Sequence, residues 1–211
     1  MKLLHGFEAP ELYRGGFVSI GNYDGVHRGH QAMVAKLVER ARAAGVPAVV
    51  FTFEPHPIRL LRPQQAPPSL STLDRKAELL AACGIDCLIA YPTDWELLRL
   101  TPQEFFERII RTELQATGLV EGPNFFFGHN RAGNVETLRQ LCQQADVDLE
   151  VVSPLKIGSQ MVSSSRIRRL IAEGAIAEAV KLLGHPYRIR GRVGAGAGRG
   201  RRLGFPTANL Q

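Results

Sequence analysis

Two histidines three positions apart, His27 and His30, carry the clearest chemical potential in this sequence. They lie in the run VSIGNYDGVHRGH, where an apolar stretch leads into a glycine-rich turn and then into a helix-like segment. A helix N-terminus presents unpaired N–H groups and about half a positive charge, so it attracts anions. Imidazoles beside it can donate hydrogen bonds to phosphate oxygens. The turn therefore predicts a site for the phosphates of a nucleotide, although histidines that only cap the helix would give the same pattern.

Three further segments contain groups that suit such a site. The sequence TFEPHP places His56 between two prolines, as in many binding loops and many structural turns. The loop GPNFFFGHNRAGN has three consecutive phenylalanines, which are costly unless the core or a flat ligand covers them. The segment MVSSSRIRRL starts a helix with serines that can cap it, or that can face a polyphosphate together with Arg168.

Composition excludes several classes of protein. Apolar residues make up 45% and charged residues 22% of the chain, as in ordinary globular proteins. No stretch has the ~20 apolar residues of a membrane helix, and the N-terminus is a poor signal peptide, so we expect a cytoplasmic protein without a membrane partner. The three cysteines, Cys83, Cys87 and Cys142, lack the additional ligands of a zinc site, which favours buried, reduced thiols.

The net charge of +6 comes from the C-terminal segment. Residues 179–211 contain seven Lys and Arg and no acidic residue, whereas the remainder has 19 basic and 20 acidic residues. Such a segment meets an anionic partner or belongs to a different module. Its glycines fit neither the GxGxxG dinucleotide fingerprint nor a P-loop.

Strand-like and helix-like segments alternate through the first 150 residues, which predicts an α/β fold with a parallel sheet and helices on both faces. The predicted strands cover residues 16–21, 47–53, 86–90, 119–122 and 147–152, and the predicted helices cover 29–44, 74–83, 102–116 and 134–145. Two short helices are expected within 164–183, and the alternation from Tyr187 to Val193 predicts a half-buried strand. Ligands of such sheets bind beyond the carboxyl ends of strands, which is where His27 and His30 are expected.

Five motifs, in this order, resemble those of the prokaryotic bifunctional riboflavin kinase/FAD synthetases. They are IGNYDGVHRGH, TFEPHP, GPNFFFGHNRAGN, VSSSRIR and LLGHPYRIRGRV…GRRLGFPTANL. The resemblance implies a Rossmann-like nucleotidylyltransferase domain over residues 1–184, which transfers AMP from ATP to FMN and releases pyrophosphate. It also implies that residues 185–211 begin a β-barrel riboflavin kinase domain, which is incomplete here.

The resemblance also implies roles for individual residues. His27 and His30 would stabilise charge on the transferring phosphate, and Arg168 would hold the phosphates of the leaving group. Binding of nucleotide or flavin is assigned to Gly21, Asn22, Asp24, Gly29, His56, Asn124, Ser164, Ser165, Thr207 and Asn209. Thr207 and Asn209 belong to the ATP–Mg²⁺ motif of the kinase, and Ser165 stands where Thr is usual. We expect Mg²⁺ to bridge substrate phosphates with few protein ligands, and no protein metal site is predicted.

Alternative functions stay open on the sequence alone. A related nucleotidylyltransferase with another acceptor, such as nicotinamide mononucleotide or phosphopantetheine, would use the same turn. Aminoacyl-tRNA synthetases have a similar turn but usually bring a KMSKS-like loop, which this sequence lacks. A catalytically silent flavin-binding protein is a further alternative. So is a nucleic-acid-binding protein, although the basic segment has few aromatic residues for stacking on bases. Because the chain ends two residues after Asn209, we expect it not to phosphorylate riboflavin.

Overall fold

A six-stranded parallel sheet forms the centre of the computed structural model, which describes residues 1–158, 160–194, 196, 199–202, 204–205 and 207–210. Its strands are β1 (Lys2–Leu4), β2 (Phe17–Ile20), β3 (Ala48–Glu54), β4 (Cys87–Pro92), β5 (Gly118–Glu121) and β6 (Asp148–Val151). They are arranged in the order β1-β4-β3-β2-β5-β6, and every neighbouring pair is parallel. The parallel α/β fold predicted from the alternation is therefore confirmed.

Helices connect the strands and cover both faces of the sheet. They are α1 (Arg28–Ala44), α2 (Ile58–Leu61), α3 (Leu73–Ala82), α4 (Trp95–Arg99), α5 (Pro102–Phe105), α6 (Val135–Ala145), α7 (Ser164–Ala172), α8 (Ile176–Leu183) and α9 (Arg199–Arg202). A π-helical segment continues α5, and short 3₁₀ turns lie at Pro10–Leu12, Pro63–Gln65 and His129–Arg131. Two antiparallel ribbons complete the description, formed by β7 (Lys156–Ile157) with β8 (Gln160–Met161) and by β9 (Val193–Gly194) with β10 (Asn209–Leu210).

Polar side chains fix where the longer helices begin. His27, Thr72, Asn134 and Ser163 each accept a hydrogen bond from the backbone N–H three residues further on. This satisfies one of the N–H groups that a helix start leaves unpaired. At its other end α1 stops at Gly45, which has a φ of 69°. The helix start at His27 thus depends on the imidazole itself.

Hydrophobic side chains pack on both faces of the sheet. One cluster includes Phe51, Ile89 and Phe106, and the other includes Leu37, Val50 and Leu80. A third, smaller cluster joins α7 and α8 to Leu70 and Tyr187. Burial of β2 and β3 from both sides explains their nearly continuous apolar sequences.

The order of connections reverses beside β2. The chain runs from β2 through β3 to β4 on one side and then crosses to β5 on the other side of β2. Ligands of open α/β sheets bind at such a point, beyond the carboxyl ends of the strands. His27 caps α1 and His30 lies in its first turn, on the connection that leaves the carboxyl end of β2.

Two predicted elements differ from the observed ones. The strand expected from Tyr187 to Val193 is wrong up to Arg192, because no neighbouring strand in the described part of the chain pairs with these residues. Tyr187 instead packs against the α7–α8 cluster, while Ile189 stays 73% exposed. The helix predicted over 102–116 is α-helical only in α5 and continues as the π-helix Phe106–Glu113. Within the described residues, no helix is both long and apolar enough to cross a membrane.

Candidate active site

The turn between β2 and α1 has an unusual backbone. Tyr23 and Val26 adopt positive φ angles of 48° and 37°, which side chains other than glycine rarely do. Such conformations cost on the order of 1–3 kcal/mol each and persist where the surroundings impose them, often at functional sites. Gly25 has a φ of 79°, and a β-carbon there would lie 2.9 Å from Leu70 Cδ1. Only glycine fits this position without displacing the 67–73 loop.

The two predicted histidines lie against each other at the start of α1. Their rings are stacked with centroids 3.6 Å apart, and the ring of Tyr23 lies 5.0 Å from that of His30. His27 Nδ1 accepts a hydrogen bond of 3.2 Å from the His30 backbone N–H. A β-carbon at Gly29 would approach the His27 ring to 3.2 Å, which explains the glycine between them.

Both imidazoles are neutral at pH 7. Burial lowers the pKa of His27 to about 4, and burial together with the nearby His27 lowers the pKa of His30 well below its usual value. Because His27 Nδ1 accepts a hydrogen bond, its single proton lies on Nε2. His27 thus offers a neutral N–H donor, and His30 Nδ1 is buried without a hydrogen-bond partner. The pair suits hydrogen bonding to an oxyanion rather than charge neutralisation.

The Asp24 carboxylate joins three segments around this turn. It accepts hydrogen bonds from the backbone N–H groups of Leu70 and Ser71 at 2.9–3.1 Å. It also pairs with the Arg168 guanidinium of α7 at 2.6 Å, with both side chains mostly buried. Arg168 Nε donates to the Pro68 carbonyl, and Ser164 Oγ donates to the Asp24 carbonyl oxygen. Asp24 thus fixes the relative positions of the β2–α1 turn, the 67–73 loop and α7.

A cavity of about 430 Å³ opens beside the turn, at the carboxyl ends of β2 and β3. Among the residues predicted for the site, its wall includes Asn22, Asp24, His56 and Arg168, whereas His27 and His30 do not belong to it. Asn22 Oδ1 is buried without a hydrogen-bond partner. His56 Nδ1 accepts from the Ile58 N–H, and burial lowers its pKa. The C-terminal segment closes one side of the cavity with Tyr187–Arg190.

Other predicted residues lie outside the wall of this cavity. Ser165 is exposed on the first turn of α7, and Ser163 rather than Ser164 caps that helix. Asn124 is exposed in the phenylalanine loop, where Arg131 lies over the Phe126 ring at 4.6 Å. Thr207 and Asn209 are exposed in the C-terminal segment. Gly21 adjoins the Tyr23 ring, which a β-carbon would approach to 3.2 Å.

Sequence reasoning missed two buried ionisable groups near the turn, Lys76 and Glu121. Lys76 lies on the buried side of α3 and lines the cavity with 5% of its surface exposed. Glu121 ends β5, and its Oε1 accepts a hydrogen bond of 2.6 Å from the Ile20 N–H. Burial raises the pKa of Glu121 well above its usual value. For Lys76 the available signal was its spacing of four from Leu80, which places a lysine on the apolar face of the helix.

Sequence models of two protein families match different segments of the chain. Residues 9–166 match the sequence model of FAD synthetases, and residues 183–211 match that of riboflavin kinases. The first match covers most of the chain. The chain belongs to the FAD synthetase family.

Family relatives align along the whole sequence. The bifunctional riboflavin kinase/FMN adenylyltransferase of Escherichia coli K12 is 36% identical over 214 residues, which cover 100% of this chain and 68% of that protein. The protein of the same name from Pseudomonas fluorescens is 38% identical, with the same two coverages. That of Listeria monocytogenes is 35% identical over 92% of this chain and 62% of its own length.

Solved structures support the same architecture. A crystal structure from Streptococcus pneumoniae, described as a macrolide-efflux protein, superposes with a TM-score of 0.84 and is 30% identical. It covers 100% of this chain and 68% of its own. The pantoate-beta-alanine ligase of Francisella tularensis, complexed with beta-gamma ATP and beta-alanine, shares 14% identity, a TM-score of 0.51 and 86% of each chain. At that identity the likeness concerns the fold alone.

Removing the Asp24 carboxylate should destabilise the chain strongly. Asp24→Ala leaves Arg168 without its partner and two buried N–H groups without acceptors. Loss of one member of a buried ion pair costs about 3–5 kcal/mol of unfolding free energy. Asp74→Ala is the matched control, because its pair with Arg190 is largely exposed and is worth less than about 1 kcal/mol. Urea unfolding measures both, and equal effects would contradict the central role of Asp24.

Stability should fall in mild acid because of His27. Its pKa is about 4 in the folded chain and about 6.5 when unfolded, so the unfolded state takes up the proton first as the pH drops. Between pH 6.5 and 4 the unfolding free energy falls by up to about 1.4 kcal/mol per pH unit from this group. His27→Asn keeps a capping acceptor but cannot titrate, so its stability should depend less on pH.

Urea unfolding at several values between pH 7.5 and pH 4.5 provides the comparison. His5→Asn serves as the control, since it removes an exposed imidazole away from the turn. A His27→Asn variant with the same pH dependence as the parent chain would show that His27 is not buried in its neutral form.

Proposed function

We propose that this chain transfers the adenylyl group of ATP to the phosphate of FMN, forming FAD and pyrophosphate. One observation carries the proposal. A stacked histidine pair lies at the N-terminus of α1, and the turn that leads into it from β2, at the switch point of the sheet, contributes Asn22 and Asp24 to the wall of a polar cavity. The match of residues 9–166 to FAD synthetases identifies the acceptor as FMN rather than another phosphate ester.

The reaction is a direct displacement at the α-phosphorus of ATP. An oxygen of the FMN phosphate forms the new P–O bond, and the bond to the β-phosphate oxygen breaks as pyrophosphate leaves. The FMN phosphate is already largely ionised at pH 7, so no general base is needed. Catalysis then consists of positioning the two substrates and stabilising the charge that develops on the α-phosphate oxygens.

The histidine pair and the N-terminus of α1 supply hydrogen-bond donors for those oxygens. His27 is held by its role as helix cap, and His30 is held by stacking against it. Each neutral imidazole carries one N–H group, so both histidines can donate a hydrogen bond near pH 7 without becoming charged. Arg168, with Ser164 and Ser165 at the start of α7, would hold the β- and γ-phosphates. Asn22, His56 and Asn124 would contact nucleotide or flavin.

We infer that Mg²⁺ arrives with the triphosphate and is bound mainly by its oxygens. The described residues contain no cluster of three or more potential metal ligands. The cavity wall offers the Glu54 carboxylate, whereas Asp24 is already engaged by Arg168. This donor set fits an ion that keeps several waters and needs one or two carboxylates. When bound, the ion would neutralise charge on the phosphates.

The two family matches support a division of the chain near residue 184. We propose that residues 1–184 form the adenylyltransferase unit and that residues 185–211 belong to the kinase unit. Thr207 and Asn209 would serve the kinase. The match to riboflavin kinases covers the 29 residues from 183 to 211. The three free cysteines are consistent with a reducing compartment, and we infer a cytoplasmic location.

Incubation with FMN and Mg-ATP should yield FAD and pyrophosphate in equal amounts, quantified by chromatography. Parallel reactions with nicotinamide mononucleotide or phosphopantetheine test other acceptors, and riboflavin with Mg-ATP tests kinase activity. We expect product with FMN alone. Preferential turnover of another acceptor would refute the FAD synthetase activity, whereas FMN binding without turnover would indicate a silent flavin-binding protein.

His30→Ala should lower kcat/KM for FAD formation by about 10²–10³, the usual effect of losing one donor that stabilises an oxyanion. His5→Ala is the control, because it removes an exposed imidazole elsewhere in the chain. Circular dichroism establishes that both variants fold. Near-native activity of a folded His30→Ala protein would remove His30 from the mechanism.

A further inference from the structure

Lys76 is a buried lysine in the wall of the cavity. It is 5% exposed, lies in α3 and forms part of the cavity wall. Its Nζ donates a hydrogen bond of 3.1 Å to Thr52 Oγ1, and the Thr52 hydroxyl donates to the Asn22 carbonyl oxygen. The ammonium is therefore held at the ends of β2 and β3, next to the proposed site of phosphate transfer.

The ammonium lacks a counter-charge of its own. Lysine has three N–H donors, and Thr52 Oγ1 accepts from one of them. In the part of the chain that the structure describes, none of the ion pairs within 4.0 Å includes Lys76 Nζ. Buried lysines are rare unless they are paired. Burial accordingly lowers the pKa of Lys76, with Glu54 and Asp24 acting more weakly in the opposite direction.

The rest of the cavity wall favours an anionic ligand. Its basic side chains are Lys76, Arg59, Arg168, Arg188 and Arg190, and its acidic ones are Asp24 and Glu54. Asp24 is already paired with Arg168. A group with several oxygens and a negative charge would complete the set.

We propose that Lys76 is a further substrate-binding residue whose ammonium binds a non-bridging oxygen of a substrate phosphate in this cavity. The inference deepens the proposed function and rests on it. Two sources share this chemistry, the triphosphate of ATP and the phosphate of FMN. In either case the phosphate supplies the missing counter-charge and accepts the donors that Thr52 does not use.

A purely structural lysine would behave differently on substitution. If Lys76 serves only to anchor Thr52 and the β2–α1 turn, its removal lowers stability. If Lys76 instead binds a substrate phosphate, its ammonium is buried without a counter-charge in the ligand-free protein. Replacing that charge by an apolar side chain of similar length then leaves stability unchanged or raises it, while binding is lost.

The experiment compares the full chain with Lys76→Met, Lys76→Arg and Lys2→Met. Lys2 lies exposed at the start of β1, at the opposite end of the strands, so it is the matched control. Calorimetry measures binding of Mg-ATP, FMN and riboflavin, the last being FMN without its phosphate. Thermal unfolding of each protein without ligand provides the stability readout.

We expect Lys76→Met to weaken binding of Mg-ATP or of FMN by about tenfold or more, as for a lost charge-assisted hydrogen bond. Riboflavin binding should stay within about twofold, Lys76→Arg should recover part of the affinity, and the melting temperature should not fall. The ligand that loses affinity identifies the phosphate. Unchanged binding of both ligands, equal losses for FMN and riboflavin, or a lower melting temperature would overturn the assignment.

A measurement on the unmodified chain covers the case in which Lys76→Met does not fold. Acetic anhydride labels amines, and mass spectrometry compares Lys76 with Lys2. Mg-ATP or FMN should slow labelling of Lys76 but not that of Lys2, and riboflavin should not protect it. Absence of protection would overturn the assignment. If the chain binds these ligands but forms no FAD, the proposed function fails while the binding role of Lys76 is still decided.

Discussion

The carboxylate of Asp24 is the interaction on which the geometry of the site depends. It connects the strained β2–α1 turn to Leu70, 46 residues later, and to Arg168 of α7, 144 residues later. Hydrogen bonds from the Gly25 N–H to Ser71 Oγ, from Ser164 Oγ to the Asp24 carbonyl and from Arg168 Nε to the Pro68 carbonyl also join these segments. All three segments contribute residues to the cavity wall. The Arg168 guanidinium would therefore have to pair both with Asp24 and with a substrate phosphate. An anion that draws Arg168 towards it must leave enough of the ion pair in place to keep Asp24 compensated.

The positive potential of the site does not come from its histidines. Their burial keeps both rings neutral, so they contribute directional donors, while the positive charge of the cavity wall resides on Lys76 and four arginines, of which Arg168 is paired with Asp24. The neutral state of the two histidine rings has a physical advantage. Neutral rings can stack closely at the helix start, whereas two imidazolium ions 3.6 Å apart would repel each other. The bound substrate then meets preorganised dipoles and cations that are already in position.

Local patterns predicted the features that are local in origin. The apolar runs of β2 and β3 and the periodicity of α1 follow from burial of neighbouring residues, and the histidine turn was recognisable from spacing alone. The partner of Arg168 could not be predicted from the sequence, because Asp24 lies 144 positions away and no periodicity links the two residues. The burial of Lys76 could not be predicted from the sequence either, because it depends on how α3 packs against the sheet. The alternation of Tyr187–Val193 misled because a strand also requires a neighbour.

Glu121 marks the place where the central strands β2 and β5 stop pairing. The pairing of β2 with β3 continues to Ile20, but that of β2 with β5 ends at Val18 and Leu119. Beyond that point the Glu121 carboxyl, whose pKa is raised by burial, accepts the hydrogen bond of the Ile20 N–H that a main-chain carbonyl would otherwise take. A side chain thus continues the hydrogen bonding between two central strands for a step after their main-chain pairing has ended. A polar group in the middle of the sheet therefore has its partner within the adjacent strand and not in solvent.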